Sequence, residues 1–169
     1  MYFMNIVLIG MSGAGKSTLG VLLAKALGMD FIDTDIVIQR LEGRQLQDII
    51  DHEGIEAFLE IEERAVSELH LENTIVATGG SVIYSEKAMN ALKRNGQIIY
   101  LHVPFDEIQR RLKNITNRGI VIKKGCSLKD VYEERTPLYE KYSDVTLDCS
   151  NKDIEFCVSK IIDKVKNGN

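Results

Sequence analysis

A glycine-rich octapeptide near the start of the chain constrains its fold more than any other feature. Residues 10–17 read Gly-Met-Ser-Gly-Ala-Gly-Lys-Ser and match the phosphate-binding pattern G-x-x-x-x-G-K-[ST] in full. The apolar run at 6–9 predicts a buried strand before it, and the apolar residues of 17–27 recur at helical spacing after it. A strand, a phosphate loop and a helix in this order predict that the chain binds a nucleoside triphosphate.

The residue types of this loop fit the chemistry of a phosphate chain. Its glycines let backbone N–H groups turn towards the phosphates, and the following helix adds the partial positive charge of its N-terminus. We assign Lys16 to the β- and γ-phosphates and the Ser17 hydroxyl to Mg²⁺. The predicted nucleotide-binding residues of the segment are Gly10, Ser12, Gly13, Ala14, Gly15, Lys16, Ser17 and Thr18.

Composition places the chain among ordinary globular proteins. Its 169 residues, 44% hydrophobic and 27% charged, predict a single domain over 1–169. A net charge of −4 disfavours nucleic acid as a partner. No segment resembles a signal peptide or a membrane span, so we expect a cytoplasmic protein, and a monomer. The cysteines and histidines lack metal-ligand spacing and are interpreted as structural: Cys126, Cys149, Cys157, His52, His70 and His102.

Short apolar runs alternate with helical patterns along the whole chain. Strands are predicted at 5–9, 30–32, 74–77, 97–103 and 145–148, and helices at 16–27, 36–40, 46–51, 55–71, 86–93, 105–113, 128–139 and 153–165. This alternation predicts a parallel sheet with helices on both faces. Ligands of such sheets bind beyond the carboxyl ends of the strands. The phosphate loop, residues 33–35 and residues 78–80 all follow predicted strands, so we expect them to meet at one edge.

Two aspartates after the second strand are the candidates for the remaining phosphoryl-transfer chemistry. Asp33 and Asp35 are two residues apart, so in an extended segment both would face the same side. We assign Asp33 to Mg²⁺, through water, and Asp35 to the acceptor hydroxyl as orienter and proton acceptor. The alternative is that one of the two, for which Asp35 is a candidate, only caps a helix beginning at Ile36. The glycines of Thr78-Gly79-Gly80-Ser81 allow a ligand close to the backbone but are also typical of a turn.

An unbalanced basic segment follows the fourth strand. Residues 108–129 contain seven lysines and arginines and no acid, although the chain as a whole is acidic. We interpret its centre, 114–125, as a mobile lid that brings Arg118 to the γ-phosphate. The alternative is a solvated charged face. Further on, Arg135 would either bind an anionic substrate group or lie at the surface.

These features together resemble the shikimate kinase family, within the nucleoside-monophosphate-kinase-like P-loop proteins. The likeness covers nearly the whole chain and rests on the phosphate loop, Asp33-Thr34-Asp35, Gly43-Arg44, Glu53-Gly54, Phe58 with Glu62, Thr78-Gly79-Gly80, Arg118 and Arg135-Thr136-Pro137-Leu138-Tyr139. The resemblance implies a three-layer α/β/α fold with a five-stranded parallel sheet and a mobile lid. It also implies ATP with Mg²⁺, and Arg110 or Arg111 packed near the adenine.

The resemblance also implies an acceptor site formed by helices at about 35–71, and catalytic roles for Lys16, Asp35 and Arg118. Substrate contacts would come from Asp35, Gly79, Gly80, Arg118, Arg135 and position 59. The departures from the family fall on this acceptor side and on the lid. The family pattern G-E-x-x-F-R-x-x-E here has Ile55 for its glutamate and Leu59 for the arginine that binds the substrate carboxylate. Ser81 stands for a third glycine, and the lid's R-P-L-L reads Arg118-Gly119-Ile120-Val121.

We therefore expect an ATP-dependent kinase that phosphorylates a hydroxyl of a small hydroxy acid. Shikimate, converted to shikimate 3-phosphate in aromatic amino-acid biosynthesis, is the leading acceptor. One alternative is a kinase of the same fold acting on another small hydroxy compound, such as homoserine or a sugar acid. Another is a nucleotide-binding protein without catalysis. A nucleoside-monophosphate kinase is disfavoured, because residues 48–63 hold no basic side chain except His52.

Overall fold

The computed structural model describes residues 4–113 and 119–167, and a five-stranded parallel sheet forms its centre. The strand order is β2-β3-β1-β4-β5, and every neighbouring pair is parallel. The predicted five-stranded α/β fold is confirmed, with strand ends within one residue of those expected. The strands are β1 (Asn5–Ile9), β2 (Asp30–Asp33), β3 (Thr74–Ala77), β4 (Gly96–His102) and β5 (Val145–Asp148).

Seven α-helices connect and flank these strands within the described part of the chain. A short 3₁₀ helix (Val82–Tyr84) lies between β3 and the fourth helix. The helices are α1 (Lys16–Leu27), α2 (Thr34–Glu42), α3 (Leu46–Ser67), α4 (Glu86–Lys93), α5 (Phe105–Lys113), α6 (Leu128–Tyr142) and α7 (Ile154–Asn167). None of them combines the length and apolarity that crossing a membrane requires.

The helix bounds lie within four residues of the sequence-based expectation. The helix expected at 36–40 begins at Thr34, because the Asp33 side chain accepts a hydrogen bond from the Asp35 backbone N–H and caps it. The two helices expected at 46–51 and 55–71 both lie in α3, and the break expected between them is confirmed, because the backbone of Gly54 is not helical (φ 89°, ψ 172°). This positive φ suits glycine and kinks the helix.

The core explains why the central strands are mainly apolar. All residues of β1 and β3 are buried, and successive side chains of a strand point to opposite faces, so helices must cover both faces of the sheet. A second, smaller apolar cluster joins α2, α3 and the segment before α6. Its buried members are Ile38, Leu46, Ile49, Phe58, Ile61, Ala65 and Val121.

The chain order of the strands places the binding region beside β1. The chain runs from β1 to the edge strand β2, returns to β3 next to β1, and then crosses to β4 on the other side of β1. The connections that leave β1 and β3 therefore diverge at the carboxyl end of the central strands. Open α/β sheets bind ligands in the crevice that such a reversal creates.

Candidate active site

A pocket of about 460 Å³ opens at the carboxyl end of β1. The phosphate loop and the start of α1 form one side, and Asp33, Asp35 and Gly80 form the floor. The C-terminal half of α2 and the N-terminal end of α3 form the opposite wall, with Gln39, Gln45, Leu46, Gln47 and Asp48. The structure thus brings together residues that follow three different strands, as the alternation of strands and helices predicts.

The phosphate loop is closed around its own lysine. Gly15 caps α1 with a left-handed backbone (φ 94°), a conformation that favours glycine. Lys16 is 7% exposed, and its Nζ donates hydrogen bonds to the carbonyl oxygens of Gly10 (2.7 Å) and Met11 (2.8 Å). The ammonium group is therefore held at the base of the loop, beneath the space where a phosphate would lie.

Ser17 and Asp33 meet at the predicted magnesium position. The Ser17 hydroxyl donates to Asp33 Oδ2 at 2.5 Å. A hydroxyl and a single carboxylate suit Mg²⁺, which prefers oxygen ligands and commonly binds through one or two carboxylates together with substrate phosphates. Within residues 4–113 and 119–167, no group of three or more His, Cys, Asp or Glu side chains could hold a metal by itself. The residues present fit an ion that is shared with a nucleotide.

The two aspartates do not share an extended segment, which corrects the basis of the sequence argument. Asp33 ends β2 and is the helix cap, whereas Asp35 lies in the first turn of α2. The capping alternative therefore holds for Asp33, which also accepts a hydrogen bond from Ser17, and not for Asp35. The two oxygens of Asp33 are both used, Oδ1 by the Asp35 backbone and Oδ2 by Ser17.

Gly79 and Gly80 allow charged groups to approach the chain after β3. A methyl group built on Gly79 would lie 2.7 Å from Asp35 Oδ1 and 2.8 Å from Glu62 Oε2. One built on Gly80 would lie 2.9 Å from an Arg135 guanidinium nitrogen. Any side chain at either position would displace these groups, so the glycines are required by space.

Glu62 is a buried carboxyl group beside Asp35 that the sequence argument did not place in the site. It is 2% exposed, and the Ser81 hydroxyl donates to its Oε1 at 2.7 Å. Burial, the main cause, and the nearby Asp35 raise the pKa of Glu62 to about 7, against the opposing effects of Ser81 and Arg135. The sequence places Glu62 three residues after Leu59 on a helix, and this spacing does not indicate that the carboxyl is buried beside Asp35.

Arg135 is buried rather than at the surface, so the surface alternative is wrong. It is 1% exposed and donates to the carbonyl oxygen of Val121 (2.8 Å) and to the Tyr84 hydroxyl (3.3 Å), whose ring also faces the guanidinium. Burial opposes its charge, yet the neighbouring tyrosines Tyr139 and Tyr84 raise the pKa of Arg135 overall. This guanidinium remains charged behind Gly80.

Tyr139 is a second residue of the site that the sequence argument did not single out. Its ring is completely buried, and its hydroxyl donates to the Gly80 carbonyl oxygen at 2.6 Å. The same hydroxyl lies 3.8 Å from the Met11 sulfur in the phosphate loop. Tyr139 therefore connects α6 to the segments that follow β1 and β3. Its place at the end of the family-like segment 135–139 was the available signal in the sequence.

Leu59 does not line the phosphate-loop pocket. It packs with Ile55 against the smaller apolar cluster and lines a separate cavity of about 110 Å³ with Tyr84 and Val121. Three departures from the family, at positions 55, 59 and 121, therefore line one cavity and belong to one apolar cluster. At positions 55 and 59 an apolar side chain stands where the family pattern has a charged one.

The predicted lid is only partly described. Arg118 and the rest of 114–118 lie outside the described residues. Val121, farther along the lid, is 6% exposed and packs on the acceptor helices. Gly119 approaches α3 so closely that a methyl group there would lie 2.8 Å from Leu46 Cβ. Residues 119 and 121 of the predicted lid thus lie against α3.

The two candidate adenine-side arginines differ in their contacts. Arg111 donates to the Gly13 carbonyl oxygen in the phosphate loop (3.1 Å) and forms a short ion pair with Glu107. Arg110 is exposed. Of the two, Arg111 is the one that contacts the nucleotide-binding loop.

A parallel sheet with a phosphate loop after its first strand, a Ser–Asp pair and a buried lysine defines a P-loop phosphotransferase. The family model for shikimate kinase matches residues 12–166. A shikimate kinase of Haemophilus influenzae is 36% identical over 98% of this chain and 94% of its own length, and one of Histophilus somni is 38% identical over 96% and 95%. The chain belongs to the shikimate kinase family.

Solved structures give the same result. A shikimate kinase from Acinetobacter baumannii, determined in complex with shikimate, is 29% identical and superimposes with a TM-score of 0.91, over 99% of this chain and 95% of that one. The family uses ATP as phosphate donor and phosphorylates a hydroxyl group.

Proposed function

We propose that this protein transfers the γ-phosphoryl group of ATP to a hydroxyl of shikimate, with Mg²⁺ as cofactor. The observation that supports it most is the single pocket that holds Lys16, the Ser17–Asp33 pair, Asp35 and Gly80 in a chain of this family. Phosphoryl transfer depends on positioning and on electrostatic stabilisation, and these residues supply both.

On the nucleotide side, the phosphate loop binds the phosphates through its backbone N–H groups and Lys16. The Lys16 ammonium exchanges its contacts with loop carbonyls for the β- and γ-phosphates. Ser17 and Asp33 would hold Mg²⁺, which neutralises phosphate charge when it is bound. Arg111 contacts the loop at Gly13 and lies at the adenine end.

On the acceptor side, Asp35 orients the attacking hydroxyl and accepts its proton. Asp35 lines the pocket in the first turn of α2, with its Oδ1 beside Gly79. Gly79 and Gly80 let the acceptor approach the backbone. The helices that form this side, at about 35–71, are α2 and α3.

Recognition of the acceptor carboxylate falls to Arg135, since position 59 is leucine. In the structure Nη2 of this guanidinium donates to the Val121 carbonyl oxygen, while Nη1 lies next to Gly80, which lines the pocket. Arg118 is proposed as the second cation, at the γ-phosphate.

A second candidate function follows from the composition of the pocket wall. Apart from Lys16, the described residues that line the pocket include no lysine or arginine, and the acceptor side carries Asp35, Asp48 and three glutamines. This wall favours an acceptor with less net negative charge than shikimate, such as homoserine, whose ammonium group offsets its carboxylate. A kinase of the same fold acting on another small hydroxy compound, such as homoserine or a sugar acid, is therefore the alternative, and of these two the wall favours homoserine.

Acceptor-dependent release of ADP separates the two. We expect ADP formation with MgATP and shikimate, with one new phosphate ester detected by ³¹P NMR and none with Lys16→Met. Homoserine and gluconate belong in the same panel. Turnover with one of these, and none with shikimate at millimolar concentration, would replace the leading proposal by the alternative.

A further inference from the structure

Ser81 joins the strand end after β3 to helix α3. It is 5% exposed and directly precedes the 3₁₀ helix. Its hydroxyl donates to Glu62 Oε1 at 2.7 Å, nineteen residues away in sequence. The residue is one of the departures from the family pattern, which has glycine at this point. A hydroxyl in this place is therefore a feature of this chain.

The Glu62 carboxyl that Ser81 holds faces the acceptor site. Its Oε2 has no hydrogen-bond partner among the described residues and points to the space over Gly79. Asp35 Oδ1 points to the same space from α2. The charged groups that act on Glu62 are Asp35, which opposes its ionisation, and Arg135 from α6, which favours it.

Leu59 explains why a hydroxyl is needed. Positions 59 and 62 are three residues apart on α3, so their side chains are neighbours on the helix surface. Both line a cavity of about 150 Å³ together with Ser81 and Tyr84. A guanidinium at position 59 would neutralise and hydrogen-bond the Glu62 carboxyl, whereas leucine donates nothing. Within residues 4–113 and 119–167, the Ser81 hydroxyl is the one hydrogen-bond donor to this carboxyl.

We propose that Ser81 is a positioning residue of the acceptor site, whose hydroxyl fixes the Glu62 carboxyl beside Asp35 in place of a guanidinium at position 59. This rests on the proposed function, because the acceptor site is the one that function requires. Without the hydroxyl, Glu62 is free to turn towards Asp35 and disturb the group that orients the acceptor. The Ser81 hydroxyl bonds to α3 and not to the phosphate loop, so the nucleotide side should be unaffected.

The kinetic test places Ser81→Ala in the parent and in a Leu59→Arg background. In the parent we expect the KM for shikimate to rise by about fivefold or more, the range given by a lost hydrogen bond to a buried carboxyl, with the KM for MgATP unchanged. In the Leu59→Arg background, Ser81→Ala should raise the KM for shikimate by less than about twofold, since the new guanidinium holds Glu62. Ser81→Thr, which keeps the hydroxyl, should behave like the parent.

Ser85→Ala is the matched control. Ser85 directly follows the 3₁₀ helix that Ser81 precedes. Its hydroxyl donates to Glu63 Oε2 on α3 at 2.5 Å and also caps α4. Its loss lowers stability but should leave the KM for shikimate unchanged. An equal rise in KM for Ser85→Ala and Ser81→Ala, or an equal cost of Ser81→Ala in both backgrounds, would overturn the proposal.

A stability measurement tests the Ser81–Glu62 contact without any activity. A hydroxyl bonded to an ionised carboxylate contributes about twice as much as one bonded to a neutral acid. Because burial raises the pKa of Glu62 to about 7, Ser81→Ala should lower the urea midpoint more at pH 8.5 than at pH 5. Equal losses at the two pH values would refute the contact. If the protein does not turn over shikimate but Ser81→Ala still lowers the urea midpoint more at pH 8.5 than at pH 5, the proposed function is refuted and the Ser81–Glu62 contact is not.

Discussion

The phosphate loop and the acceptor helices α2 and α3 face each other across one pocket, but their sequences relate to the family in different ways. The loop keeps every family residue, and its contacts are polar and mostly within the loop itself. The acceptor side has exchanged charged residues for Ile55 and Leu59, which pack in one apolar cluster with Val121. The donor, ATP, is therefore specified by backbone geometry that tolerates little change, whereas the acceptor is specified by side chains that can be replaced as a connected set.

The largest effect should come from the nucleotide side. Lys16→Met removes the ammonium group that the loop holds under the phosphates, so we expect kcat/KM to fall by about a thousandfold in a folded protein. Steady-state ADP release and circular dichroism check this. Activity within tenfold of the parent would break the comparison, because the conserved side would then contribute little to catalysis.

Asp35→Asn should be next in size and should separate the two sides. The variant keeps the shape of the group that orients the acceptor but accepts no proton, so we expect kcat to fall by about a hundredfold. The KM for MgATP should stay within twofold of the parent.

Asp33→Asn is the matched comparison for Asp35→Asn. This change should instead raise the Mg²⁺ concentration needed for half-maximal rate, because Asp33 is bonded to Ser17 and not to the acceptor side. Titration of Mg²⁺ at saturating ATP measures it. Identical kinetic defects in the two variants would contradict the division of roles.

Leu59→Arg should sharpen the contrast on the acceptor side. If shikimate is the acceptor, the parent lacks one carboxylate contact and binds it weakly, and the added guanidinium should lower the KM for shikimate by about tenfold. Leu59→Lys is the control, since a lysine adds charge without the bidentate geometry. A parent that already binds shikimate tightly would show that Arg135 and Arg118 suffice for the carboxylate.

The smallest effect concerns stability and the raised pKa of Glu62. In the folded protein the Glu62 carboxyl keeps its proton up to about pH 7, whereas in the unfolded chain it loses the proton near pH 4.5. The free energy of unfolding therefore falls as the pH rises between these two values. Glu62→Gln should remove this pH dependence. Compared with its effect at pH 4.5, the substitution should raise the free energy of unfolding at pH 8 by on the order of 2 kcal/mol. Guanidinium unfolding at both pH values measures it, and Glu60→Gln, on the exposed side of α3, should show no such difference.

The sequence by itself determined the sheet, the position of the phosphate loop and the convergence of Asp33, Asp35 and Gly80. These depend on local patterns: apolar strands, a glycine-rich turn and the rule that parallel strands end at one edge. The start of α2 was missed because a cap forms through a hydrogen bond that residue order alone does not reveal. The break at Gly54 was expected as a gap between two helices, and the non-helical backbone there confirms it.

Only the tertiary structure decided the environment of the buried polar groups. It placed Glu62 beside Asp35 with Ser81 as its donor, enclosed Arg135 between Val121 and Tyr84, and joined Ile55, Leu59 and Val121 in one apolar cluster. These contacts link residues from separate elements, and their energies depend on burial. A side chain's desolvation and its partners are set by packing, which the pattern of a single segment does not specify.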